Sequence, residues 1–374
     1  MPVKYINVTP LTNLFVPATR AFGDIAIIGA VDAGATGPRN VPVPVTSPDA
    51  VSFRDSAANG RPVDDAAWFK GALGDSVRTA FAQSPGPTTV WAIATGAGAD
   101  ALKDGLAAAS KVDAQIVVLA RTPLSGGGAN GGKDDIEALA AHCNSVSNTG
   151  GDGKERLGIA MLGKGVTNTA LITGPMAQNR MMMVAHHSDD DAAAATAGVM
   201  AGYPPHISLL LKPISLDMDD VFADAEIDAF NAKRVNWVTR TPLLPGQGFY
   251  LGEGYTLGVD QPYADIVRTI DQISFALKAA LIRSIGVLRV TRAGLRAMVS
   301  QMSAVLQPLQ DDAVIDSYLV YFPLLTLLDK DPAKLTDVEL QQIQTAQATR
   351  SVSSIVTVDY AGAIHRLNIT LKFE

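Results

Sequence analysis

Between residues 21 and 215 short, continuous apolar runs alternate with alanine-rich segments, and this alternation restricts the possible folds more than any other feature of the chain. The runs are 25–30 (IAIIGA), 90–94 (VWAIA), 115–119 (QIVVL), 157–161 (LGIAM), 180–185 (RMMMVA) and 207–211 (ISLLL). A strand that is apolar at successive positions has no face to give to water, so it belongs inside a sheet covered on both sides. The segments between them, 65–82, 99–109, 133–147 and 190–202, have helical character, and strands alternating with helices specify a mostly parallel α/β sheet. One such domain is therefore expected over 21–235. It follows a short N-terminal extended arm, 1–20, in which Val3, Tyr5, Ile6 and Val8 lie in a short alternating strand and 10–17 offers little to pack.

The pattern changes after the glycine-rich stretch 244–254. Ile266, Ile270, Ile273, Leu277, Leu281 and Ile285 recur at steps of three or four and predict a helix of about six turns over 263–285. A second helix is expected from Thr291, carrying Leu295, Met298, Met302, Val305 and Leu309, and closing near Pro308. A third begins at the Thr336-x-x-Glu339 capping box and runs to about Arg350. The C-terminal domain, 236–350, is thus α+β. The last segment, 351–374, reads as a β arm: a strand over 353–360, a turn at 361–362 and a second strand over 363–373 with His365, Leu367, Ile369, Leu371 and Phe373 on one face. Eleven residues of strand span roughly 36 Å at about 3.3 Å each, more than an eight-residue hairpin partner covers. An overhang of that length calls for another chain segment.

Composition removes several function classes. With 30 Lys and Arg against 37 Asp and Glu, the net charge is −7 and gives no general attraction for nucleic-acid phosphates. The single cysteine, Cys143, can form neither an intramolecular disulfide nor a thiolate zinc site, and it fits folding in a reducing cytoplasm. No run of 18 apolar residues occurs, and the first residues lack the basic and apolar regions of a signal peptide, so neither membrane insertion nor export by that route is expected.

Motifs with catalytic precedents are present but incomplete. Gly126, Gly128 and Gly131 match G-x-G-x-x-G between a strand and a helix, the placement that cradles a pyrophosphate. They sit among five glycines in the eight residues 125–132, and the following strand ends in Leu162-Gly163 with no acidic ribose ligand. Residues 158–164 fit G-x-x-x-x-G-K, but Gly165 replaces the magnesium-holding Ser or Thr, and 159–162 is itself the strand. His186 and His187 before Asp189, Asp190 and Asp191 resemble a metal cluster, yet neighbours along a strand point in opposite directions, and a solvated helix N-terminus is the expected reading. His142 beside Cys143 lacks a third catalytic member, Ser125 lacks a nucleophile elbow, Met181, Met182 and Met183 read as core, and Trp68, Trp91 and Trp237 are too scattered for a base-stacking platform.

Two blocks together resemble the tail sheath proteins of contractile phages and of related phage-derived injection machines. The first is 236–258 (NWVTRTPLLPGQGFYLGEGYTLG), similar to that family's asparagine, proline-glycine-x-glycine and aromatic-glycine-x-x-threonine-leucine passage; the long helix 263–285 and the end segment 355–373 follow in the same order. The stretch 193–205, an alanine-glycine helix before two prolines, is also similar. The resemblance covers the C-terminal half well and the first 190 residues in layout.

The resemblance implies a structural subunit without catalytic, cofactor or metal residues. Family members form stacked hexameric rings around an inner tube, and contraction drives that tube through a target envelope. It implies an α/β outer domain and a C-terminal domain completed by strands from neighbouring subunits: Val3, Tyr5, Ile6 and Val8 in the donated N-terminal strand, and Val356, Val358, Leu367, Ile369 and Leu371 in the C-terminal strands. Helix 336–350, with Asp337, Glu339 and Arg350, either faces the tube or packs locally. The implied partners are further copies of the chain, an inner tail tube protein, and baseplate and tail terminator proteins, without nucleic acid or direct membrane insertion. The implied location is a virion tail assembled in the bacterial host cytoplasm. The chain is short for the family, suggesting a minimal sheath with one outer domain. Two other readings stay open on the residues alone: an α/β enzyme binding a dinucleotide or phosphate at 126–132, and an α/β ligand-binding module whose terminal strands pair with each other.

Overall fold

A computed structural model describes residues 22–35, 37–47, 70–127, 130–148, 154–241 and 248–365. These form two compact units, one of residues 22–271 with 363–365 and one of residues 272–362.

The first unit runs β1 (Asp24–Gly29), β2 (Pro42–Val45), α1 (Ala72–Phe81), β3 (Thr89–Ala94), α2 (Ala101–Ala109), β4 (Ile116–Leu124), α3 (Lys133–Asn148), β5 (Leu157–Leu162), β6 (Met181–Ala185), α4 (Ala192–Gly202), β7 (Pro213–Ile214), α5 (Asp224–Lys233), β8 (Asn236–Thr239) and β9 (Phe249–Leu251). Its nine strands lie in the order β2-β3-β1-β4-β5-β6-β8-β9-β7. The six from β3 to β8 are parallel, while β2, β9 and β7 are antiparallel additions.

The apolar runs explain this sheet. All five residues of β6 and all six of β5 are buried, which requires cover on both faces. One face packs under α1, through Leu73, Val77 and Ala80 at helical spacing, and under α4. The other packs under α2, α3 and α5 through Leu106, Ile136, Leu139, Cys143 and Phe230. The alanines of α4 let that helix be buried nearly all round while its backbone lies close to the sheet.

Five of the six expected strands are present. The exception is 207–211, where Leu211 has φ +55°, incompatible with an extended run, and the edge is closed by β7 instead. The sheet also extends past residue 235: β8 pairs with β6 and β9 with β8, so 236–271 is built into the α/β unit and the division between units falls at Asp271/Gln272. An exchange of buried hydrogen bonds, described below, holds this passage there.

That division lies inside α6 (Ala264–Leu281). Its first turns bury Ala264 and Val267 in the α/β unit, and Ile273 enters the core of the second unit with Leu277 and Leu281 packed beside it. The helix stops four residues short of Ile285, which is exposed, as is Ile270, so the apolar stripe is narrower than its spacing suggests. The second unit continues with α7 (Arg292–Asp311), β10 (Ile315–Tyr321), α8 (Pro323–Asp329), α9 (Asp337–Thr349) and β11 (Ile355–Tyr360). Thr291 caps α7 by accepting from Gly294 N–H at 3.2 Å. Leu295, Met302 and Leu306 point from α7 into the core formed with Phe322, Val314 and Ile315. Thr336 and Glu339 form the expected reciprocal capping box of α9.

Candidate assembly interface

In the second unit β10 and β11 form a two-stranded antiparallel sheet, with Tyr318 opposite Val358, Val320 opposite Val356 and Tyr321 opposite Ile355. Alternation gives the ribbon two different faces. Tyr318, Val320, Val356 and Val358 pack on the core beneath α7, and the Tyr318 hydroxyl donates to Gln307 at 3.1 Å. The opposite face presents Leu319 at 61% exposure, Tyr321 at 42% and Ile355 at 55%, beside a Ser317–Asp359 hydrogen bond. Among the described residues neither outer edge is paired with a further strand. A two-stranded ribbon is marginal alone, and its open edges are templates for additional strands.

This arrangement revises one part of the sequence reading. Val356 and Val358 lie in a strand paired within the chain to β10, a partner the sequence reading did not include, and residues 366–373 of the expected hairpin partner lie outside the described residues. Residues 361–365 are not strand, and His365 leaves the expected alternating face to bond the α/β unit. Val3, Tyr5, Ile6, Val8, Leu367, Ile369 and Leu371 lie outside the described residues. The strand β10 and its outward residues Leu319 and Tyr321 were missed, although the β-prone run 318–322 (YLVYF) carried the signal.

The glycine-rich passage is fixed by Asn236, the first residue of β8 and fully buried. Its Nδ2 donates to the carbonyls of Met183 (3.1 Å) and Tyr255 (2.9 Å), and its Oδ1 accepts from Tyr255 N–H at 2.6 Å. One side chain thus satisfies backbone groups on β6 and on the segment leading to α6. Gly252 N–H donates to Trp237 O at 2.8 Å and Leu257 N–H to Met181 O at 2.8 Å. A Cβ on Gly252 would lie 2.2 Å from Trp237 Nε1, so that glycine is required by close approach of the indole. Asn236 and Gly252 of the block are therefore explained by backbone satisfaction and packing.

The C-terminal side of this passage receives His365. Its Nδ1 lies 2.8 Å from Glu253 Oε2 and its Nε2 2.9 Å from Ser208 Oγ, and its ring meets Tyr263 edge-on at 4.5 Å. Sequence inspection did not find this group; a lone carboxylate between two glycines, Gly252-Glu253-Gly254, was the available sign.

On α9, Glu339 is occupied within the unit: it accepts from Lys330 Nζ at 2.5 Å and from Thr336 N–H at 3.0 Å, and these bonds hold its carboxyl below the usual range. Asp337 lies in the first turn and Arg350 is the C-cap at φ +54°. Val338 and Leu340 are exposed on the same helix.

The remaining motifs have local roles. Gly131, at φ +48°, turns the chain into α3, and its Cβ would collide with Ser125 O at 1.8 Å. Where a pyrophosphate would meet the helix, the first turn instead carries Asp134 and Asp135, with Asp135 raised by burial and by Asp134; Gly128 lies outside the described residues. Asp191 is buried rather than solvated: it caps α4 through Ala194 N–H (2.9 Å) and accepts from Ser76 Oγ (2.5 Å) and Arg121 N–H (2.8 Å). His186 is buried, donating Nε2–H to Leu162 O at 3.0 Å, and burial lowers its pKa. Cys143 is buried and its thiol is pushed up to about 12 by desolvation. Among the described residues no group of three His, Cys, Asp or Glu converges on a metal position, and no helix is long and apolar enough to cross a membrane.

The fold described above is similar, nearly end to end, to that of solved sheath proteins. The sheath complex of an extracellular contractile injection system in its contracted state is similar over 99% of this chain and 97% of its own, with TM-score 0.65 and 12% identity. The helical sheath of an anti-feeding prophage, also contracted, is similar over 100% and 99%, with TM-score 0.64 and 14% identity. A sheath tail protein of Listeria innocua is similar over 92% and 96%, with TM-score 0.55 and 10% identity. No protein-family model and no curated protein sequence matches the chain.

Proposed function

We propose that this chain is the structural subunit of a contractile tail sheath. Copies polymerise as stacked hexameric rings around an inner tube, engage baseplate and terminator proteins at the ends, and contract to drive the tube through a target envelope. The observation that carries this reading is the end-to-end likeness to sheath proteins, which includes the second unit and its ribbon as well as the common α/β sheet. The ribbon supplies the chemistry of assembly. Its two open edges accept donated strands, Val3, Tyr5, Ile6 and Val8 from one neighbour and Leu367, Ile369 and Leu371 from another, while Val356 and Val358 hold the receiving strand to its own core. Main-chain pairing of this kind keeps subunits linked while their bodies change packing, so contraction needs no bound cofactor. The exposed surface of α9, with Asp337 in its first turn and Arg350 at its C-cap, is the part that faces the tube, while Glu339 is taken up by Lys330 and Thr336 within the unit.

Negative-stain microscopy of the purified chain tests the proposal. Tubes or stacked rings are expected, and a variant lacking residues 1–18 should remain folded by circular dichroism yet form none. Tubes of unchanged yield from the truncated chain would refute the strand-exchange mechanism, and a chain that stays monomeric at high concentration and with added tube protein would refute the sheath assignment.

A further inference from the structure

We propose that the α/β unit carries an imidazole-accepting notch that docks the chain's own C-terminal segment through His365. The walls are Ser208, Glu253 and Tyr263, with Tyr255 stacked behind Tyr263 at 5.4 Å. Glu253 is 5% exposed, and its partner in the structure is the His365 ring. A carboxylate so removed from water is costly without a donor, so the notch by itself favours an occupant that brings an N–H. Imidazole fits because it can meet Glu253 through Nδ1–H and Ser208 through Nε2 at once, while Tyr263 covers the ring. Ser208 Oγ also accepts from Leu210 N–H at 3.2 Å, which fixes the hydroxyl on the turn rather than leaving it free as a nucleophile.

Docking at His365 sets the starting point of the residues beyond it. Nine residues follow, a reach of at most roughly 30 Å when extended. Under the sheath reading, on which this consequence rests, Leu367 enters the donated strand two residues from a fixed root. The notch itself does not depend on that reading.

Trypsin provides the test, because Arg366 directly follows His365 and a docked root resists the extended conformation a protease requires. In the full chain, cleavage after Arg366, followed by mass spectrometry as the sum of peptides 367–374 and 367–372, is expected to accelerate at least tenfold in His365→Ala and to a similar level in Glu253→Gln, with no further gain in the double variant. His365 lies in no helix or strand, so its variant is expected to fold; added free imidazole should raise the melting temperature of His365→Ala and leave the wild type unchanged. Equal cleavage of wild type and His365→Ala, or no imidazole effect on that variant, would overturn the proposal. Covalent labelling of Ser208 by a fluorophosphonate would also overturn it, in favour of a hydrolytic centre. Tube formation is scored separately on the same samples: protected ends without tubes would leave docking intact and remove the sheath reading, and tubes with unprotected ends would do the reverse.

Discussion

Replacing Asn236 by alanine should cost the fold about 3–5 kcal/mol, a large part of the roughly 5–15 kcal/mol by which a domain is ordinarily stable. The figure follows from three hydrogen bonds made by one fully buried side chain, to Met183 O, Tyr255 O and Tyr255 N–H. Each bond contributes about 0.5–1.5 kcal/mol net, and a buried N–H left without an acceptor costs about 1–3 kcal/mol. The damage is directed, because Tyr255 lies nine residues before the start of α6 and its backbone is held to β8 by this amide. Urea denaturation of the monomer, followed by Trp fluorescence, should show a lower midpoint with an unchanged slope. Asn236→Asp retains the acceptor but turns oxygen lone pairs toward two carbonyls, so it should be at least as destabilising. A loss below about 1 kcal/mol for alanine would mean that water or backbone movement replaces the amide, and the explanation of the block 236–258 would fail.

Three further outcomes are expected. His142 accepts a hydrogen bond from Arg156 at 3.3 Å, and burial followed by the Arg156 charge lowers its pKa to about 4 from 6.5. The folded state then binds fewer protons than the unfolded state between those values, so stability is lost as pH falls from 6.5 to 4 and levels off below. The partly exposed ring contributes about 2–3 kcal/mol, and urea midpoints of wild type and His142→Gln compared at pH 7 and pH 4.5 should reveal it. Cys143 should resist a thiol-specific reagent at pH 8 in the native chain and react fully in denaturant; fast native labelling would contradict its burial. Leu319→Asp, at an exposed position on the ribbon's outward face, should change monomer stability by less than about 0.5 kcal/mol while reducing tube yield several-fold by microscopy.

The α/β unit was legible because burial on both faces forces strands to be continuously apolar, and β1, β3, β4, β5 and β6 lie where those runs are. The segment 207–211 was equally apolar and is not a strand, since Leu209 is buried by a turn and Leu211 takes a left-handed conformation. Hydrophobicity records burial, and only hydrogen-bond geometry distinguishes the two outcomes. The expected boundary near 235 and the division at Asp271/Gln272 differ for a related reason. A glycine-rich passage looks like a linker in composition, whereas here the glycines permit close approach and Asn236 supplies partners that no spacing rule reveals. The capping box of α9 was read directly because both halves lie within four residues of sequence. The ribbon and the His365 group depend on contacts between residues about 40 to 157 positions apart, which a single sequence does not display.

If copies assemble as proposed, the ribbon also decides where assembly energy can reside. Its inward face is already committed to Leu306, Val314 and Ile315, so copies can gain from it only along the two edges and over the outward face. Edge pairing satisfies backbone groups that water already serves in the free chain, and each such bond contributes only about 0.5–1.5 kcal/mol net. Leu319, Tyr321 and Ile355 add a different contribution, since apolar area removed from water is favourable at about 25 cal/mol per Å² whatever the pairing register. In the proposed assembly, edge bonds would therefore set register and the outward face would supply much of the affinity. A proline on an edge of β11 and Leu319→Asp should consequently fail in different ways. The proline should give disordered aggregates through misregistered pairing, and the aspartate should leave soluble monomers with an intact ribbon. If both variants produced the same soluble monomer, this division of labour between backbone and side chains would be wrong.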